Sequence, residues 1–182
     1  MSDVPMLPYK KIKLDISVDD VVPRDTEVIR YGIDVDGEFE GIRYNTCTVM
    51  EDALQTIQSA VPEQYQKDFI ALYMRINRDI IPHIDSGVKT VVNTYLKSGG
   101  YQTDFNAPKA GATPFQLPNQ TDGVSYQFED VDVLHSFTAQ DGDTYILDVT
   151  QMHSVHSGTD KERVALALST HLPFDKVCEI FS

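Results

Sequence analysis

Between residues 10 and 18, apolar Ile12, Leu14, Ile16 and Val18 alternate with Lys11, Lys13, Asp15 and Ser17, the period of a strand buried on one face. The period then changes. Met50, Leu54 and Ile57 recur at helical spacing behind Thr48, an N-cap residue with Glu51 three positions on, which predicts a helix over residues 50–60. A second, short helix is expected from Pro62 to about Phe69. Beyond it, β-compatible runs follow at 69–76, 90–96, 101–105, 131–137, 144–149 and 163–170, separated by turn signals such as Ser98-Gly99-Gly100, Asp141-Gly142-Asp143 and Ser157-Gly158-Thr159-Asp160. Many short strands behind a helical preface predict a mainly β (α+β) domain, a sandwich or barrel with a few supporting helices. Residues 106–123, rich in Pro, Gly, Ala and Asn, read as a long mobile loop of the kind that covers or binds substrate.

A chain of 182 residues has the length of one domain able to enclose a site. Its expected parts are N-terminal strands and helices (1–68), a β core (69–170) and a C-terminal tail (171–182). No apolar run approaches the roughly 20 residues of a membrane span. The start, Met-Ser-Asp-Val-Pro, has neither the basic nor the apolar part of a secretory signal, so a cytoplasmic setting is expected. Cys47 and Cys178 provide neither a thiolate cluster nor a disulfide framework. A net charge of −13 disfavours nucleic acid as a partner. Lys10, Lys11 and Lys13, and Arg75 and Arg78, read as solvated surface.

The candidate chemistry starts at Pro82-His83-Ile84-Asp85. In extended backbone an imidazole and a carboxylate two residues apart lie on one face and can hold one metal ion together. The run from Asp141 through Tyr145 and Leu147 to His153 reads as an apolar strand launched from a turn and ending in an exposed His. Ten residues on, Arg163 opens the run Val164-Ala165-Leu166-Ala167-Leu168. A turn at residues 157–160 would fold the two strands back antiparallel and bring Arg163 near His153. Two imidazoles and one carboxylate form the facial triad of non-haem iron oxygenases, and the fixed donor fork of Arg163 suits a dicarboxylate whose other end chelates the metal. His156 is the alternative to His153. His135 and His171 read as structural.

His83-x-Asp85, His153 and Arg163 at the tenth following position resemble the signature of Fe(II)/2-oxoglutarate-dependent oxygenases, over about residues 69–170. The spacing is similar to that of prolyl and aspartyl/asparaginyl hydroxylases, and Gly142-Asp143-x-Tyr145-x-Leu147 resembles the family's penultimate core strand. The resemblance implies a double-stranded β-helix, or jelly roll, with Fe(II) on His83, Asp85 and His153. It also implies 2-oxoglutarate held by Arg163, with Tyr95, Asn93 and Tyr73 as further pocket residues, and O2 as co-reactant. The implied reaction is hydroxylation of a small molecule, an amino acid or a protein side chain, with release of succinate and carbon dioxide. The retained Asp85 favours hydroxylation over halogenation. The competing expectations are another metal-dependent enzyme of the cupin type and a non-catalytic jelly-roll binding module. Neither the substrate nor the oligomeric state is written in these residues.

Overall fold

Val164, Ala165, Leu166, Ala167 and Leu168 are all buried, and a strand apolar on both sides belongs between two layers. In the computed structural model, which describes residues 6–14, 16, 29–32, 43–47, 51–76, 79–116 and 123–182, that strand is central to the larger of two sheets. Among the described residues the strands are β1 (Tyr9–Ile12), β2 (Ile29–Gly32), β3 (Arg43–Cys47), β4 (Phe69–Ile76), β5 (Ile80–His83), β6 (Thr90–Lys97), β7 (Gln102–Pro108), β8 (Val131–Thr138), β9 (Thr144–Asp148), β10 (His153–His156) and β11 (Arg163–Thr170). The helices are α1 (Glu51–Ala60) and α2 (Phe174–Ile180). The order β1-β9-β6-β11-β4-β3-β2 makes one sheet and β5-β10-β7-β8 the other, with antiparallel pairing throughout. From β4 to β11 the chain passes back and forth between the sheets, which is a double-stranded β-helix, a jelly roll of the cupin type.

Each face of the larger sheet has its own core. Outside, Phe69, Ala71, Val92, Ile146, Leu166 and Leu168 pack under Ile57 and Val61 at α1 and under Phe174 and Val177 of α2. Inside, Val91, Tyr95, Tyr145, Leu147, Ala165 and Ala167 meet Phe105 and Phe137 of the smaller sheet. Alternation along β11 thus sends leucines to the helices and alanines to the barrel interior. Small side chains there leave room between the sheets.

Several sequence expectations are revised. Within the tail 171–182, for which no helix was expected, Pro173 precedes α2, whose Phe174 and Val177 complete the outer core. The second short helix is a 3-10 turn at Glu63–Asp68. The first strand is observed over Tyr9–Ile12; residues 15, 17 and 18 of the expected strand, and the cap and first helical positions Thr48 and Met50, lie outside the described residues, as does Arg78. Residues 106–108 of the expected loop belong to β7, and its two arms are tied together by mutual backbone bonds between Phe115 and Ser125. Residues 117–122 lie outside the described residues.

Candidate metal centre

The candidate ligands come from two neighbouring strands of the smaller sheet. β5 is an edge strand, where Pro82, having no N–H to donate, costs the ladder least. Its free edge is covered by residues 124–126: Tyr126 N donates to the Pro82 carbonyl at 2.9 Å and Ile84 N to the Val124 carbonyl at 3.1 Å. His83 is the last residue of β5 and pairs with His153, the first of β10. Asp85 lies just beyond, where its own N–H donates to the Val149 carbonyl at 3.3 Å.

His153 does not end the apolar strand that contains Tyr145 and Leu147. That strand, β9, stops at Asp148, whose carboxylate accepts bonds from Thr150 N at 3.2 Å and Gln151 Nε2 at 2.9 Å and so closes a turn. β10 then starts in the other sheet with His153, which is buried, not exposed. The expected hairpin between the strands of His153 and Arg163 is also absent. β10 pairs with β5 and β7, whereas β11 pairs with β4 and β6, because a run apolar on both faces needs the centre of the larger sheet.

One nitrogen each of His83 and His153 and one oxygen of Asp85 all lie within 4.8 Å of one another. His83 Nε2 is 3.2 Å from Asp85 Oδ1, and His153 Nε2 is 3.9 Å from Asp85 Oδ2. Each Nδ1 faces a carbonyl two residues back, Ile81 at 2.8 Å and Gln151 at 3.0 Å. A carbonyl only accepts, so it holds the proton on Nδ1 and leaves the Nε2 lone pair toward the shared space. Burial pushes the Asp85 carboxyl up, but the His83 hydrogen bond and the His153 ring outweigh it and its pKa falls below the ordinary value. Burial pulls the His83 imidazole down, yet Asp85 more than offsets this and raises it. Burial, reinforced by His83, lowers His153 to about 4. Two imidazoles through Nε2 and one carboxylate make a donor set suited to Fe(II).

His156 faces the other side of β10. Its Nε2 is 3.3 Å from Asp104 Oδ2, its Nδ1 3.8 Å from Asp79 Oδ2, and Phe128 lies 4.3 Å from its ring centre. That network, completed by Ser136 and Gln102 on Asp104, holds His156 away from His83 and Asp85.

Arg163 is buried at the opposite end of β11 from Thr170. Its Nη1 donates to Thr103 Oγ1 at 2.9 Å, its Nη2 to the Tyr101 carbonyl and its Nε to the Ser98 carbonyl at 3.5 Å. The guanidinium lies 4.9 Å from the Tyr95 ring centre and 5.3 Å from that of Tyr101. Burial lowers its pKa, and the two phenols act in the opposite direction. No carboxylate among the described residues forms an ion pair with it. Sequence reasoning missed Tyr101 and Thr103; the one available signal was the Gly99-Gly100 turn that leads into them.

Asn93 and Tyr95 lie on the same side of β6, and both are buried with Asn93 Oδ1 and Tyr95 Oη unpartnered. Across from them on β11 are Ala167, the register partner of Asn93, and Ala165, the partner of Tyr95. Two orphaned polar atoms facing small side chains fit a polar ligand between the sheets. Tyr73 lies on β4 opposite Leu166; its side chain, like that of Arg75, is outside what the structure describes.

No family model matches the sequence, and no curated protein does. Solved structures do resemble it. The epimerase SnoN, solved with Fe3+, alpha-ketoglutarate and nogalamycin RO, aligns over 89% of this chain and 78% of its own at 12% identity, with a TM-score of 0.51. Vicilin from Capsicum annuum aligns over 80% of this chain at 12% identity and a TM-score of 0.41, and Bacillus subtilis oxalate decarboxylase, studied for its Mn(II) centres, over 73% at 12% and 0.39. The chain spans 40% of that vicilin and 26% of that decarboxylase. At this identity what is shared is the jelly-roll fold, and the proteins that share it include metal-dependent enzymes.

Proposed function

We propose that the chain is an Fe(II)- and 2-oxoglutarate-dependent dioxygenase that hydroxylates a small molecule, an amino acid or a protein side chain. The observation that carries this reading is a conjunction inside one barrel: a two-histidine, one-carboxylate group, and a buried arginine with no carboxylate partner among the described residues. A buried charge without an opposite charge is costly unless a ligand supplies it. His83, Asp85 and His153 would hold the iron, and Arg163 with Tyr95 the far carboxylate of the cosubstrate.

When bound, the iron and 2-oxoglutarate supply the oxidising power for hydroxylation, with succinate and carbon dioxide as co-products. The protein's part is positioning. Ile81 and Gln151 carbonyls fix the imidazole tautomers. Asp85 supplies the negative charge that a dication requires. Thr103 and the Ser98 and Tyr101 carbonyls hold the guanidinium fork, and the Tyr95 hydroxyl is free to donate to an acid. Phe105, whose ring centre lies 6.2 Å from that of His153, puts an apolar ring beside that ligand. SnoN, of the same fold, was solved with Fe3+ and alpha-ketoglutarate, so such a barrel can accommodate this pair.

Anaerobic titration with Fe(II) and then 2-oxoglutarate tests the reading. A weak visible charge-transfer band is expected only with both present, and succinate should form when oxygen and a substrate are admitted. Bound iron without such a band would point to a metal-dependent enzyme of the cupin type that needs no cosubstrate. Unchanged iron content in His83→Ala would point to a non-catalytic module.

A further inference from the structure

Ile70 is 63% exposed, although Phe69 and Ala71 on either side of it are buried in the outer core. Alternation along β4 therefore turns Ile70 to the other side of the sheet, into the barrel. Its row of register partners agrees: Ser169 on β11, Val91 on β6 and Leu147 on β9, of which Val91 and Leu147 belong to the inner core. A large apolar side chain that faces inward and is still exposed stands at an opening.

That opening leads to the metal centre. Tyr9, the register partner of Leu147, ends the row on β1 and stacks on Phe105 with ring centres 5.8 Å apart; Phe105 is the partner of His153. The row thus begins at the level of the ligands. At its other end it lies farther out. Ile76 and Met74 of β4 pack with Ile80 and Ile81 of β5, and from that contact His83 lies three residues along β5 and Ile70 six back along β4. Ile70 consequently stands past His83 by about three residues of strand, roughly 10 Å. The centre itself is open, since the Asp85 side chain is 32% exposed, and Val124, whose carbonyl accepts from Ile84 N, adds another exposed apolar side chain next to it.

The chemistry of the row limits what can lie on it. Ile70, Ser169, Val91, Leu147 and Tyr9 include no charged side chain, and the Tyr9 hydroxyl is bound to the Ser136 carbonyl. A free amino acid would bring two charges to a wall that pairs neither. A net charge of −13 repels anions.

We propose that the substrate of this site is an uncharged small molecule with an extended hydrocarbon body, an alkyl or acyl chain, that lies along this row from the metal out to Ile70. The inference rests on the dioxygenase reading above and narrows it. One atom of O2 enters a C–H bond of the chain to give an alcohol, and the other enters succinate as 2-oxoglutarate loses carbon dioxide. Burial of hydrocarbon supplies the affinity, and Ile70 is a specificity-determining residue at the outer end.

The test is anaerobic fluorescence titration with N-phenyl-1-naphthylamine, an uncharged dye that brightens in apolar surroundings, on the protein with and without Fe(II) and 2-oxoglutarate. Wild type should take up the dye, and octanamide should displace it. Octanoate, with the same chain and a negative charge, free leucine, and N-acetyl-leucine amide, a short apolar side chain in a peptide, should each displace it at least about tenfold less well. Ile70→Asp should weaken dye and octanamide about tenfold, the scale of the apolar area one such side chain still exposes, and Ile70→Val should keep most of the binding. Leu134, 58% exposed, stands two residues from Ser136, which bonds Asp104 on the side of the smaller sheet away from the metal; Leu134→Thr should bind as wild type. If Ile70→Asp does not fold, Ile70→Thr, which keeps the β-branched shape, should show a smaller loss in the same direction. No dye uptake by wild type, displacement by octanoate, leucine or N-acetyl-leucine amide equal to that by octanamide, unchanged binding in the Ile70 variants, or an equal loss in Leu134→Thr would each overturn the proposal. Octanamide-sensitive dye uptake without the charge-transfer band of iron and 2-oxoglutarate would overturn the dioxygenase reading and leave the class of ligand standing.

Discussion

His83 Nε2 stands 3.2 Å from Asp85 Oδ1, a contact between two groups that would both bind the same ion. The carboxylate raises the His83 pKa above its ordinary value. Asp85→Asn keeps the shape and removes the negative charge. Iron retained after dialysis, measured by elemental analysis, should then fall by more than roughly a hundredfold in affinity, the upper end of what losing a ligand's hydrogen-bond partner costs. Retention at the wild-type level would remove Asp85 from the ligand set.

Proton competition should follow from the same pair. Metal binding needs both imidazoles neutral. His83 is raised above its ordinary value and His153 lowered to about 4. Affinity should be flat at alkaline pH and begin to fall as pH drops through the raised His83 value, one proton per metal. A second proton should enter near 4. In the metal-free protein the two groups act oppositely on stability. The His83 contribution is complete below its unfolded value and lost as pH rises through the folded one, whereas that of His153 is present above its unfolded value and lost as pH falls toward about 4. Metal affinity measured across pH, with melting curves of the apo-protein, checks both; a two-proton dependence already at neutral pH would contradict the assignment.

What the sequence disclosed follows local physics. The runs at residues 69–76 and 163–170 coincide with β4 and β11, because both are long, β-rich and bounded by turns. His83 and Asp85 are close in the chain, so two residues of spacing suffice to bring them together. The pairing of β10 was hidden, since a four-residue segment His153–His156 carries little periodicity and its partners are set by the whole sheet. Tyr101 and Thr103 were missed for the same reason: Arg163 is separated from them by about sixty residues of chain, and only the fold brings them together. α2 escaped notice because seven residues are too few for a clear helical stripe.

Gly99 is the point where the turn before Tyr101 meets the chain before Arg163. Its φ is +64°, and a Cβ there would stand 2.6 Å from the Glu162 carbonyl oxygen. Nearby, Thr159 Oγ1 donates to the Gly99 carbonyl at 2.8 Å and Tyr101 Oη to the Lys161 carbonyl at 2.6 Å. Gly99→Ala therefore combines an unfavourable backbone region with a backbone clash. It should lower stability by about 1–3 kcal/mol and weaken 2-oxoglutarate more than iron, since the displaced segment carries Arg163 and not the metal ligands. Chemical denaturation and calorimetry measure the two effects; a stability equal to wild type would show that the turn can yield.

His153 and His156 are three residues apart on one short strand, and their substitutions should separate cleanly. His153→Ala removes a buried imidazole whose Nε2 faces Asp85, so retained iron should fall to background. His156→Ala instead removes a ring that lies 3.3 Å from the buried Asp104 carboxylate, which keeps the Ser136 hydroxyl at 2.6 Å and the Gln102 amide at 2.7 Å. Iron content should then be unchanged, while stability falls by at most about 1 kcal/mol, since the contact removed is half-exposed and the carboxylate keeps both of those hydrogen bonds. Elemental analysis beside denaturant melts of the two apo-proteins decides the matter. Iron lost from His156→Ala and kept by His153→Ala would exchange their roles, and with them the face of β10 on which the metal is bound.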